Sequence, residues 1–94
     1  METFGTEADE RRYLEWLRAH PRGYVINTNK GAARADETRV HASACRSISQ
    51  LSEGYRHFTG GAYQKLCSDD RRELESWSQR TFGFPVKACP ICLG

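Results

Sequence analysis

Long apolar runs are missing from this 94-residue chain, and apolar residues of every kind are few. They make up 38% of the sequence, and the mean hydropathy is −0.71. No stretch approaches the ~20 apolar residues that cross a bilayer as a helix. The N-terminal residues are acidic and lack the apolar centre of a secretory signal, so a cytoplasmic protein is expected. Internal repeats and low-complexity segments are absent. So are a Gly-rich phosphate loop, a nucleophile–base pair and paired carboxylates with an evident task, and no enzyme is expected. Asp69-Asp70 reads as helix capping rather than chemistry.

What is present still describes a folded domain. Charged residues are 28% and aromatic residues 11%, unlike a disordered tail. The length allows one domain, residues 1–94. A core this lean calls for a staple, either metal or disulfide. Four cysteines supply it: Cys45, Cys67, Cys89 and Cys92. In a reducing compartment they stay as thiols, which favours metal over two disulfides.

Charge is unevenly spread. Residues 1–17 set Arg11 and Arg12 against five acids, for −3. Residues 18–65 set eight bases against three acids, for +5, and residues 66–94 balance. The basic middle is richer in Arg than Lys, which suits bidentate contact to phosphate.

The pattern predicts an α+β domain with about three antiparallel strands, two main helices and one short one. A helix over about 6–20 starts at Thr6, with Asp9 in capping-box position, and ends before Pro21 and Gly23. Strands follow at 24–28 and 38–42, with a loop from Lys30 to Glu37 between them. A short helix opens near Ser43 or Ala44, buries Cys45, Ile48 and Leu51, and stops at Gly54. A third strand spans 62–67. Ser68 then caps a helix with Leu74 and Trp77 inward, and Gly83 closes it.

The chemistry gathers at Cys89-Pro90-Ile91-Cys92. A C-x-x-C pair places two thiolates on one tetrahedral ion, and Gly94 after it lets backbone N–H groups turn toward the sulfurs. His41-Ala42-Ser43-Ala44-Cys45 offers the other half, an H-x-x-x-C that runs from a strand end into a helical turn. Cys67 makes a fifth candidate, and spacing alone does not decide which is left out. Either set closes the tetrahedron, with no water to activate, so one structural Zn²⁺ is expected.

A strand, an H-x-x-x-C entering a helix, a strand and helix, then Cys-Pro-x-Cys resembles the metal-binding domain of the Ada-type DNA-repair methyl-acceptors and related small zinc modules. The resemblance covers residues 24–94 in outline, as a zinc module following the N-terminal helix. It is specific at four positions, and it implies His41, Cys45, Cys89 and Cys92 as ligands with Cys67 spare. His41 occupies the position of the methyl-accepting cysteine, so that chemistry is expected to be absent. The helix at 6–20 and the loop at 30–37 have no counterpart in the family's pattern.

The function expected is a module that binds DNA or another nucleic acid, such as the reader domain of a larger DNA-processing or restriction-type protein. Lys30, Arg34, Arg39, Arg46 and Arg56 are the candidate contacts, chiefly to phosphate. The alternative is a zinc-stabilised protein-interaction adaptor, with the acidic Glu7–Glu15 helix face docking a basic partner. A reactive Cys67 beside a helix N-terminus is a third reading.

Overall fold

A computed structural model describes residues 1–31, 34, 38–49 and 58–93. Its elements are β1 (Glu2–Phe4), α1 (Glu10–Ala19), β2 (Tyr24–Asn29), β3 (Arg39–Ala42), α2 (Arg46–Ser49), β4 (Tyr63–Ser68), α3 (Arg71–Phe82) and β5 (Lys87–Ala88). The class is α+β, as expected. The sheet differs from expectation: it has five strands in the order β1-β4-β2-β3-β5, and β3–β5 is a parallel pair.

The two additional strands are three and two residues long. Neither is long enough to show a period-2 pattern, and each exists through its neighbour. β1 lies antiparallel to β4, with Thr3 opposite Leu66. β5 reaches the far edge because α3 carries the chain across one face of the sheet. A parallel neighbour needs such a crossover, and α3 is its helix.

Side-chain alternation divides the core in two. Val40, Ile26 and Leu66 stand in one cross-strand row and pack on Leu74 of α3, with Trp77 and Phe82 at the margin. The opposite face carries Val25 and Cys67, covered by Tyr13 and Trp16 of α1 with Phe4, Cys45, Ile48 and Cys89. The second face therefore holds both the larger aromatic core and the cysteine site.

Local signals account for the helix ends. Asp9 Oδ2 accepts from the N–H groups of Gly5 and Thr6 at 3.0 and 3.1 Å, fixing the entry to α1 through a 3₁₀ turn at Glu7–Asp9. That tie holds the Asp9 carboxyl below its usual range. Asp70 caps α3, accepting from Arg72 N at 2.9 Å. Ser68, the expected cap, instead accepts from Asp70 N through its hydroxyl. Gly83 closes α3 in the left-handed region at φ 80°. The short helix α2 starts at Arg46, later than expected; Leu51 and Gly54 lie outside the described residues.

The turn after α1 sets the floor of the cysteine site. Gly23 sits where a Cβ would come within 2.6 Å of Trp16 Cη2, so only glycine lets the indole lie flat there. Its carbonyl accepts from Ser43 N at 2.9 Å, which anchors the chain just beyond β3. No helix among the described residues is long and apolar enough to cross a membrane.

Candidate metal centre

Two turns bring four ligands together. His41 ends on the α1 face of β3. The chain then turns, with Cys45 N donating to Ala42 O at 2.9 Å, and Cys45 stands at the start of α2, its carbonyl accepting from Ile48 and Ser49. Beyond β5, Cys89 N donates to Val40 O at 2.9 Å, which extends the parallel ladder and sets Cys89 beside His41. A second turn, closed by Leu93 N on Cys89 O, presents Cys92.

One ligand atom from each of His41, Cys45, Cys89 and Cys92 lies within 4.8 Å of the others. Cys45 and Cys89 sulfurs are 3.9 Å apart. Three of the four side chains are buried, and Cys92 is half-buried. His41 and the three cysteines are therefore close enough to hold a metal ion.

The electrostatics of the site fit a cation. Burial, with Lys65 and Arg39 nearby, lowers His41 to about 4, so the imidazole is neutral at physiological pH, as a ligand must be. His41 Nδ1 is sealed from solvent and has no hydrogen-bond partner among the described residues, an orphaned polar atom of the kind a bound ion satisfies. Burial opposes ionisation of Cys45, but hydrogen bonds from Ser47 and the adjacent Cys92 and Cys89 outweigh it and lower its thiol. Burial raises Cys92 to about 11, against the help of the Ala42 N–H, and the neighbouring sulfurs push the same way. Thiolates this close repel each other, and a divalent cation removes that repulsion.

Among the described residues, the N–H directed at a sulfur is that of Ala42, 3.3 Å from Cys92 Sγ; Gly94 lies outside the described residues. Strand β3 thus supplies both a ligand and an outer-shell support for another.

Cys67 is not part of the cluster. It pairs with Val25 on β4, whereas His41 pairs with Val25 on β3. Val25 therefore stands between them, and two strand spacings separate the backbones, roughly 10 Å. Cys67 is fully buried among Phe4, Tyr13 and Trp16, and burial raises its thiol to about 12. It packs in the core, apart from the group that could hold an ion.

The basic candidates lie along the middle of the chain. Lys30 is exposed just past β2, Arg34 is exposed between β2 and β3, and Arg46 is exposed on α2 beside Cys45. Arg39 is half-buried on the same sheet face as His41 and donates from Nη1 to Thr38 O at 3.0 Å. Arg56 lies outside the described residues.

Three further residues matter. Glu10 accepts from Phe58 N, Thr59 N and Thr59 Oγ1 at 2.8 to 3.0 Å. His20 stacks on Trp16 and sets Nδ1 2.8 Å from Asp69 Oδ2. Lys65 is only 6% exposed and donates to Asn27 Oδ1 at 2.7 Å. Its alternation with Tyr63 and Cys67 was the available signal, since a residue in phase with a core cysteine faces inward.

Compared with known proteins, the chain matches no family model, and no curated protein or solved structure is significantly similar to it.

Proposed function

We propose that this domain is a structural-zinc module that binds nucleic acid through its basic middle segment. His41, Cys45, Cys89 and Cys92 would hold the ion. Three thiolates and an imidazole favour Zn²⁺, and four protein ligands leave no open position, so the ion supplies folding energy rather than reactivity. The likeness to the Ada-type metal-binding domain rests on these same four positions and carries no methyl-acceptor chemistry with it.

The observation that carries the nucleic-acid reading is the +5 surplus over residues 18–65. Of these bases, Lys30 and Arg46 are exposed and meet no acid among the described residues. Surplus charge of one sign in the middle segment is the footprint of a polyanion partner.

Salt dependence tests it. Binding of a labelled DNA duplex, measured by fluorescence anisotropy, should weaken steeply between roughly 50 and 200 mM salt, because each neutralised phosphate releases a counterion. Binding that is absent, or indifferent to salt, overturns the reading.

One feature favours a protein partner instead. The outer side of α1 forms an open groove lined by three acids, Glu7, Glu10 and Glu15, and two bases, Arg11 and Arg18, beside Ala8 and Leu14, and its small acidic excess favours a basic peptide. Capture of a partner that survives nuclease treatment, with no DNA binding, would support the adaptor reading.

A further inference from the structure

Lys65 is out of place for a structural residue. It stands on β4 in a cross-strand row with Asn27 of β2 and Arg39 of β3, on the α1 side of the sheet. Only 6% of it is exposed. Buried ammonium groups ordinarily meet a carboxylate, because removing the charge from water is costly. Lys65 has none. Its hydrogen-bond partner among the described residues is the Asn27 amide oxygen, and the Tyr13 ring lies 6.0 Å from its nitrogen. Glu10 is the acid close enough to act on it electrostatically, but both Glu10 oxygens are taken up by Phe58 and Thr59.

The row opens toward the turn end of the sheet. Tyr63, two residues before Lys65, points to the same face and is 41% exposed. Asn29 stands opposite Tyr63 and is half-buried. An aromatic ring at the rim, an amide beside it and an uncompensated cation within make a graded site, from stacking to charge. Tyr63 and Lys65 are about 7 Å apart along the strand, the span between base and phosphate of one nucleotide.

We propose that Lys65, Asn27 and Tyr63 form a subsite for one nucleotide unit of a single-stranded nucleic acid, the phosphate meeting Lys65 and the base stacking on Tyr63. The lysine stem is flexible enough to turn its ammonium from Asn27 toward an entering oxyanion. Burial, which lowers Lys65 to about 8 against the pull of Glu10, shows what the lysine lacks, and a phosphate would supply it. This inference takes its ligand from the nucleic-acid reading above but uses residues outside the basic set named there.

The test uses the metal-loaded domain and two probes: a fluorescein-labelled 12-nucleotide oligothymidylate, and inorganic phosphate. Lys65→Met and Tyr63→Ala should each weaken oligonucleotide binding about tenfold at fixed salt, the scale of one charge-assisted contact or one stacked base. Phosphate alone should shift the Lys65 side-chain NMR signals. Tyr63 is a rim residue, so its variant keeps the inference testable even where Lys65→Met alters folding. Unchanged binding by both variants overturns the subsite and leaves the nucleic-acid reading standing. A phosphate shift without oligonucleotide binding overturns the nucleotide as occupant, while the duplex titration decides the nucleic-acid reading separately. The absence of both responses overturns the subsite.

Discussion

His41 and Cys67 lie in one cross-strand row, each opposite Val25, one on either side of it. Their side chains share a sheet face, two strand spacings apart. That register puts His41 in the group that could hold an ion and Cys67 in the core.

Metal content should follow this division. The purified domain should carry one Zn²⁺ per chain, and His41→Ala should lose most of it. Cys67→Ser should retain the metal while unfolding at lower denaturant, since a hydroxyl replaces a thiol in an apolar site at a cost of ~1–3 kcal/mol. Elemental analysis beside urea titration reads both. Loss of metal in Cys67→Ser would contradict the assignment.

Chelation should abolish cooperative melting. The binding energy of a closed zinc site in small modules is on the order of 10–16 kcal/mol, more than the net stability of most domains this size. Circular dichroism with and without a strong chelator, under reducing conditions, checks it. An unchanged melt would mean the hydrophobic core stands alone.

Lys65 gives a signed pH effect. Its folded value, about 8, is below the ordinary 10.5, so between these limits the unfolded chain holds more protons. Stability contributed by this group therefore rises with pH through that window, by on the order of 3 kcal/mol. Lys65→Met should be the more stable form at pH 7, and its advantage should shrink toward pH 10.5. Denaturant titrations of both forms across that range measure the difference. A constant difference would show that the ammonium is not desolvated.

Glu10→Ala should cost ~2–4 kcal/mol by urea unfolding. It strips the acceptor from Phe58 N, Thr59 N and the Thr59 hydroxyl, and buried donors left unpaired are expensive. Glu10→Gln, which keeps one acceptor oxygen, should cost less. Equal costs would show that helix-end charge, not hydrogen bonding, is the main contribution.

Gly23→Ala should destabilise by ~1–3 kcal/mol, because the new methyl would overlap Trp16 Cη2 and press on Ser43 Oγ. Gly61→Ala has open space around it and only a left-handed φ of 62° to accommodate. Its cost should be about 1 kcal/mol. The comparison, by thermal melting, distinguishes crowding from backbone strain.

Much of the plan was legible in the chain. Thr6 and Asp9, Gly83, and the β-branched run at Tyr24–Thr28 are local signals, and each appears where local physics places it. The four ligands were legible as two short motifs of fixed spacing. What escaped was set by register. Glu2–Phe4 and Lys87–Ala88 are strands only because Cys67 and Val40 lie beside them. Spacing could not tell that Cys67 stands apart from the cluster; its pairing with Val25, opposite His41, shows it. The role of Glu10 was hidden because its partners, Phe58 and Thr59, are 48 and 49 residues away.

The parallel pairing of β5 with β3 imposes an order on the making of the protein. Cys45 and Cys89 are 44 residues apart. At a ribosomal pace of ~5–20 residues per second, His41 and Cys45 wait roughly 2–9 s before their partners are synthesised. During that interval the nascent chain offers half a site: one thiol and one imidazole, with α3 not yet laid across the sheet. In the finished domain three of the four side chains are buried, and the growing chain meets the cell's metals and oxidants without that cover.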